Sequence, residues 1–304
     1  MTFDYELAKF IPYRDVEVCR RVRAITREEI TKHPNKAFKI RIIDDEDAFF
    51  RAMAADLVER IQLARDEKRT FVGILPVGPV PQYALAAKTI NERGLPLDHF
   101  HGFNMDEYAD QDGNTAPPDW EGSFQRAMMI NFYSKVDAKL RPPAGQIHFP
   151  TTEVIDDYGK MIDDLGGADV VYGGVGWCGH IAFWEAHLGF EFGDDIESYM
   201  HAGPRLVELH PMTIMQNALQ SFGGDWSWVP PRANTIGPAQ IMGAKDRSFW
   251  MDGCIGSVAW QGFIARLAAY GPVNTLVPGS ILQTAPGTYT LLGPVADDIE
   301  IHIT

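Results

Sequence analysis

The chain has 304 residues, of which 45% are hydrophobic and 22% charged, an ordinary globular composition that excludes a disordered or fibrous protein. Its formal net charge of −14 repels nucleic-acid backbones and anionic membrane surfaces, so neither is expected as a partner. Three widely separated cysteines, Cys19, Cys178 and Cys254, form no CxxC pair, which argues against a disulfide framework and a zinc ribbon. The first residues contain no basic stretch leading into an apolar one, and apolar runs such as residues 71–80 are short and broken by Gly or Pro. The expectation is a cytoplasmic protein with no membrane span.

In chain order, helical and strand-like segments alternate without an internal repeat, the pattern of an α/β fold whose mainly parallel sheet is flanked by helices. One domain is expected over residues 1–304, with a helical extension over about residues 1–35. The first helix is expected over residues 14–32, followed by a strand at 38–44. Phe49, Met53, Leu57, Ile61 and Ala64 then recur at spacings of three and four, so one helix face packs inward. TFVGIL (residues 70–75) is a continuous apolar run, as in a strand buried on both faces. A Pro/Gly loop and a helix over residues 83–93 follow.

DHFHGFNM (residues 98–105) reads as the next strand, residues 110–119 as a polar loop and residues 123–136 as a helix. A short strand at 146–149 and a helix at 152–165 lead to the strand ADVVYGG (residues 168–174). Beyond an irregular central region, a strand is expected at 248–251, a helix at 257–269, and strands at TYTLLG and the terminal IEIHI. Three loops, at residues 76–81, 106–119 and 174–185, each follow a strand. Ligands of open parallel sheets bind beyond the carboxyl ends of strands, so neighbouring strands would make these loops line one crevice.

Two segments carry the chemistry. In GGVGWCGHIAFWEA (residues 173–186), four glycines permit turns and close ligand approach, and His180 beside them titrates in the range needed of an acid or base. Glu185 is placed to orient the imidazole; a Gly-rich turn with a structural histidine is the plain alternative. In FNMDEY (residues 103–108), Asp106 and Glu107 end an apolar strand, and alternation sends one carboxylate into the crevice and the other away from it. A desolvated carboxylate there would have a raised pKa and would suit proton abstraction beside a carbonyl; adjacent acids also serve as helix or turn caps.

Taken together, NMDEY, the GGVG–x–x–GHIAF–x–E pattern and the preceding GILPVGPVPQYALAA resemble the glucosamine-6-phosphate deaminase (isomerase) family, whose GxGxxGH element the lactonases of sugar-phosphate metabolism share. NFYSKVD (residues 131–137) and PGSILQ (residues 278–283) extend the similarity over most of residues 35–300. The resemblance implies a Rossmann-like fold and aldose–ketose isomerisation, with loss of ammonia when carbon 2 carries an amine. It places Asp106 as the base moving a proton between carbons 2 and 1, with Glu107 beside it, His180 as the histidine assisting ring opening, and Glu185 as its supporting carboxylate. It implies a small sugar as substrate and calls for no cofactor and no metal. His99 and His101, two apart on a strand, have no third ligand at a compatible spacing.

The departures from the pattern are as informative. Cys178 stands where the family has an aspartate two residues before the histidine; it reads as a small buried thiol or as a nucleophile helped by His180. The phosphate loop carries Val77, Gly78, Pro79 and Val80, so hydroxyls are replaced by valines and one N–H is removed by proline. The segments from which the family supplies Arg and Lys read MTIMQNALQ (residues 212–220) and DGCIGSVAW (residues 252–260), with no basic residue. A phosphate dianion buried without paired donors costs several kcal/mol. The expected substrate is therefore a sugar lacking the 6-phosphate, lined by Val77, Gly78, Val80, Gly174, Gly176, Trp177, Cys178 and Trp184. Basic residues from other loops, such as Arg205 or Lys245, would restore a phosphate site. A non-enzymatic sugar-binding regulator on the same fold is the competing reading. GGDWSWVPPR (residues 223–232) is expected to cover the site or to form a homo-oligomer contact.

Overall fold

Apolar runs too short for helices set the centre of the molecule, which a computed structural model describes over residues 5–301. The strands are β1 (Phe38–Ile43), β2 (Phe71–Leu75), β3 (Phe100–Asn104), β4 (Asp106–Ala109), β5 (Ile147–His148), β6 (Val170–Gly173), β7 (Arg205–Glu208), β8 (Arg232–Thr235), β9 (Asp246–Met251) and β10 (Gly287–Leu292). Seven of them form one parallel sheet in the order β1-β10-β9-β6-β2-β3-β5. All of β2 and β6 is buried, as strands covered on both faces must be. The connecting helices are α1 (Val16–Arg23), α2 (Glu46–Asp66), α3 (Pro81–Arg93), α4 (Phe124–Asn131), α5 (Ile155–Asp163), α6 (Ile196–Met200), α7 (Pro211–Ser221), α8 (Pro238–Gly243), α9 (Gly262–Tyr270) and α10 (Gly293–Ala296). The α/β, Rossmann-like architecture is the one expected from the alternating pattern. No helix among the described residues is long and apolar enough to cross a membrane.

Several boundaries differ from expectation for local reasons. The first helix stops at Arg23, because Glu29 takes the amide and hydroxyl of Thr26 and turns the chain. The α4 helix gives way to a 3-10 turn at Tyr133–Lys135, and α9 starts only at Gly262, after a turn in which Gly256 has φ +57. Residues 299–301 are not a strand, and the rest of the expected terminal strand lies outside the described residues.

The largest difference is a second, three-stranded sheet in the order β4-β8-β7, antiparallel throughout. The chain bends at Met105, so NMDEY closes β3 and opens β4 rather than ending a single strand. Met105 bridges the two sheets through its backbone: its N–H donates to Leu75 and its carbonyl accepts from Ile236. The region read as irregular supplies the other two strands, β8, which pairs with β4, and β7, which pairs with β8; such non-local pairing leaves no local signature. Residues 223–232 form a 3-10 turn at Trp226–Trp228, and Trp228 stacks on Trp120 at 6.3 Å between centroids.

Among the contacts that anchor the amino-terminal segment is one buried arginine. Arg266 of α9 is fully buried and donates to the carbonyls of Ile25, Gly262, Val295, Ala296 and Asp297 at 2.8–3.2 Å. It thereby ties the end of α1 and the end of α10 to one helix. Replacing it with methionine keeps the volume and strands these acceptors. Arg266→Met is expected to lower the thermal midpoint by roughly 5–10 °C, from the cost of unpaired buried acceptors. Calorimetry would test this; an unchanged midpoint would mean that the carbonyls find other partners.

Candidate active site

The order β6-β2-β3 makes the three loop-bearing strands neighbours. The chain runs from β2 outward through β3 and β5, then returns to the other side of β2 as β6. Their carboxyl ends therefore flank a topological switch point, where open α/β sheets bind ligands. The segments 76–81, 106–119 and 174–185 all leave from this edge, as the spacing in the chain suggested, but the second begins as strand β4 and becomes a loop only after Ala109.

The loop after β6 is shaped by close approach. A Cβ on Gly176 would lie 2.0 Å from His180 Nε2, so only glycine lets the imidazole sit there. Gly179 has φ +93, and Ala182 adopts the left-handed region at φ +53, reversing the chain so that Glu185 meets His180. His180 is 6% exposed and Glu185 is fully buried. The Glu185 Oε2 atom accepts from the Thr213 hydroxyl at 2.9 Å and the Cys178 thiol at 3.1 Å, and lies 3.5 Å from His180 Nδ1. Its Oε1 accepts the N–H of His210, the N-cap of α7, at 3.2 Å. Thr213 Oγ1 and Cys178 Sγ lie 2.9 and 3.2 Å from His180 Nδ1.

The electrostatics follow from this packing. Burial favours a neutral imidazole, but Cys178 and Glu185 beside it outweigh burial and hold His180 well above the ordinary histidine range. Burial alone would raise Glu185; His180, Cys178 and Thr213 reverse this and keep its carboxyl below the usual value.

Asp106 and Glu107 divide as alternation requires. The Glu107 carboxylate turns inward to the start of α4, accepting from the backbone of Tyr108, Phe124 and Gln125 at 2.7–3.0 Å and from the Ser123 hydroxyl at 3.0 Å. It is fully buried and committed to this cap, which places it outside the crevice chemistry. The Asp106 carboxyl, 6% exposed, has no hydrogen-bond partner among the described residues. Burial, and secondarily Glu107, push it up to about 8, with His180 pulling the other way. Two clasps hold it against the His180 loop: Asp106 pairs with Thr235 across β4 and β8, and the Thr235 hydroxyl accepts the Phe183 N–H at 3.0 Å.

The other expected lining residues divide. Val77 is half-buried and Val80, 37% exposed, is the residue just before α3, with Gly78 between them. Gly174 packs on the Trp250 carbonyl, which a Cβ would approach to 3.2 Å. Trp177 is 38% exposed and its backbone N–H donates to the Gln216 side-chain oxygen at 2.7 Å. Trp184 is instead buried between Phe192, Tyr199 and the guanidinium of Arg205, and presents no open face to the crevice. His99 bonds the Ile61 carbonyl and His101 bonds His148, so the two histidines serve separate partners. Cys178, His180 and Glu185 do bring three metal-ligand types within 4.8 Å of one another, an arrangement that spacing in the chain did not disclose. Thr213, on the segment that lacks an arginine, has no signature in the chain because a helix threonine carries no motif. Asn217, which donates to the Tyr108 hydroxyl at 2.8 Å, leaves no signature for the same reason.

The chain is 30% identical over 216 residues to the glucosamine-6-phosphate deaminase of Caenorhabditis elegans, covering 68% of this chain and 73% of that one. It is also 30% identical over 236 residues to the enzyme of that name from Tolumonas auensis, covering 76% and 80%. Among solved structures, a monomeric glucosamine-6-phosphate deaminase superposes with a TM-score of 0.71 at 20% identity, over 86% of this chain and 100% of that one. A 6-phosphogluconolactonase from Trypanosoma cruzi superposes at 0.60 with 16% identity, over 88% and 99%. No family model matches the chain. Sequence identity and fold agree with the His180–Glu185 cluster at the switch point: the chain belongs, as a divergent member, to the glucosamine-6-phosphate deaminase family.

Proposed function

We propose that this protein isomerises an amino sugar or related aldose lacking the 6-phosphate, moving a proton between carbons 2 and 1 after ring opening. The observation that carries the reading is the unpartnered, buried Asp106 carboxyl held beside the charged His180–Glu185 pair. His180, kept protonated by Glu185, donates to the ring oxygen as the ring opens. Asp106, once ionised, removes the carbon 2 proton and delivers it to carbon 1. Where carbon 2 carries an amine, the resulting iminium adds water and ammonia leaves. An ammonium group at carbon 2 would itself favour ionised Asp106.

The preference for an unphosphorylated substrate draws support from the charges. Arg205 is held by both carboxylate oxygens of Glu191 at 2.8 and 3.0 Å. Lys245 pairs with Asp169 at 2.9 Å, immediately before β6 and hence at the opposite end of the sheet. Neither is free to hold a phosphate. At the exit of β9, Asp252 contributes a carboxyl that burial pushes up to about 6.

Turnover should be found with free amino sugars, followed by ammonia release and by solvent deuterium entering carbon 2 or 1. Asp106→Asn should reduce kcat by about 10²–10⁴-fold. Unchanged turnover in this variant, or competition only by phosphate esters, would defeat the assignment.

The same residue predicts a stability profile. A carboxyl whose pKa is higher in the folded than in the unfolded chain contributes stability that is full below about 4. That contribution is lost as pH rises through about 8. Asp106→Asn should therefore flatten the decline of the thermal midpoint between pH 5 and 9, and melt roughly 2–4 °C higher at the alkaline end. Activity of the unsubstituted protein should rise over the same range toward a plateau above pH 8. Parallel melting curves for the two proteins would show that Asp106 is not the titrating group.

A further inference from the structure

Four side chains from two segments meet in the crevice wall: Cys178, His180 and Glu185 from the loop after β6, and Thr213 from α7. All six distances between Cys178 Sγ, His180 Nδ1, Glu185 Oε2 and Thr213 Oγ1 fall between 2.9 and 3.5 Å. Four atoms so spaced form a nearly regular tetrahedron, whose corners lie about 2.0 Å from its centre. Zinc binds histidine nitrogen and carboxylate oxygen at about 2.0–2.2 Å and thiolate at about 2.3 Å, in tetrahedral geometry. The corners need move outward by only a few tenths of an ångström, most at sulfur.

The chemistry of the donors fits as well as their spacing. A thiolate and a carboxylate together neutralise a dication, which a site this buried requires. Sulfur and imidazole select a thiophilic metal over magnesium or calcium. One outer-shell contact is in place: Glu185 Oε1 is held by the His210 amide. With hydrogens in place of a metal, the same four atoms make a compact hydrogen-bond cluster.

We infer that Cys178, His180 Nδ1 and Glu185 form a zinc site, with the Thr213 hydroxyl at the fourth corner. Occupancy pins Nδ1 and separates the imidazole from Glu185, so the ring no longer gains and loses the proton that ring opening needs. Zinc then acts as a reversible inhibitor, a consequence that rests on the role proposed above for His180; the binding itself does not.

The test uses the full chain stripped with a chelator. Zinc is titrated in competition with a chromophoric chelator, and cobalt(II) is added separately while the thiolate-to-cobalt absorption is followed. One equivalent should bind with a thiolate band. Cys178→Ser should weaken binding at least 100-fold and abolish the band, whereas Cys254→Ser should change neither. Absence of stoichiometric binding, or a band that survives Cys178→Ser, would overturn the site. If Cys178→Ser fails to fold, the cobalt spectrum of the unsubstituted chain, with and without Cys254→Ser, decides. In the presence of sugar, zinc should suppress turnover and chelation should restore it. Turnover unaffected by one bound equivalent would overturn the inhibitory role. Zinc bound through the thiolate in a chain that turns over no sugar would support the site and count against the catalytic assignment.

Discussion

A carboxylate with no solvent contact has to be surrounded by donors or give up its charge, and Glu185 is the point at which this chain meets that requirement. Its partners come from different places: Cys178 and His180 from its own loop, Thr213 and the His210 amide from α7. Satisfying one ion therefore fixes the angle of a helix against the sheet edge and the rotation of an imidazole. The loop is then latched to the second sheet through Phe183 and Thr235, and Thr235 is the register partner of Asp106. The alignment of Asp106 with the His180 loop descends from this chain of contacts.

The adjacent acids show how position divides identical chemistry. Glu107 receives four donors and spends its charge on the start of α4, where the aligned peptide dipoles favour an anion. Asp106, one residue earlier and on the opposite side of the strand, receives none and is poised near neutrality by burial. One side chain stabilises the fold around the crevice, while the other is left as the unpaired carboxyl on which the proposed proton transfer rests. This is the usual trade between stability and a prepared site.

Cys178 has a different place in the same balance. A thiol can donate to Glu185 but offers little to orient an imidazole, and here the Thr213 hydroxyl lies closer to His180 Nδ1 than the sulfur does. The threonine thus shares the orienting task, and the sulfur brings a soft donor into a cluster that otherwise has only hard or borderline ones.

Most of the parallel sheet was legible in the chain because buried strands announce themselves as continuous apolar runs between helices, as in Phe71–Leu75 and Val170–Gly173. The glycines around His180 were legible too, since only glycine tolerates the imidazole packed against Gly176. What the linear pattern could not carry was pairing between distant segments. The β4-β8-β7 sheet, Thr213 beneath His180, and the burial of Trp184 under Arg205 all depend on which surfaces meet after folding. Local sequence thus determined the sheet, the crevice and the residue types at its mouth. Tertiary structure alone decided which carboxyl was left unpaired and which four atoms stand at the corners of one tetrahedron, because hydrogen bonding and desolvation are set by neighbours in space.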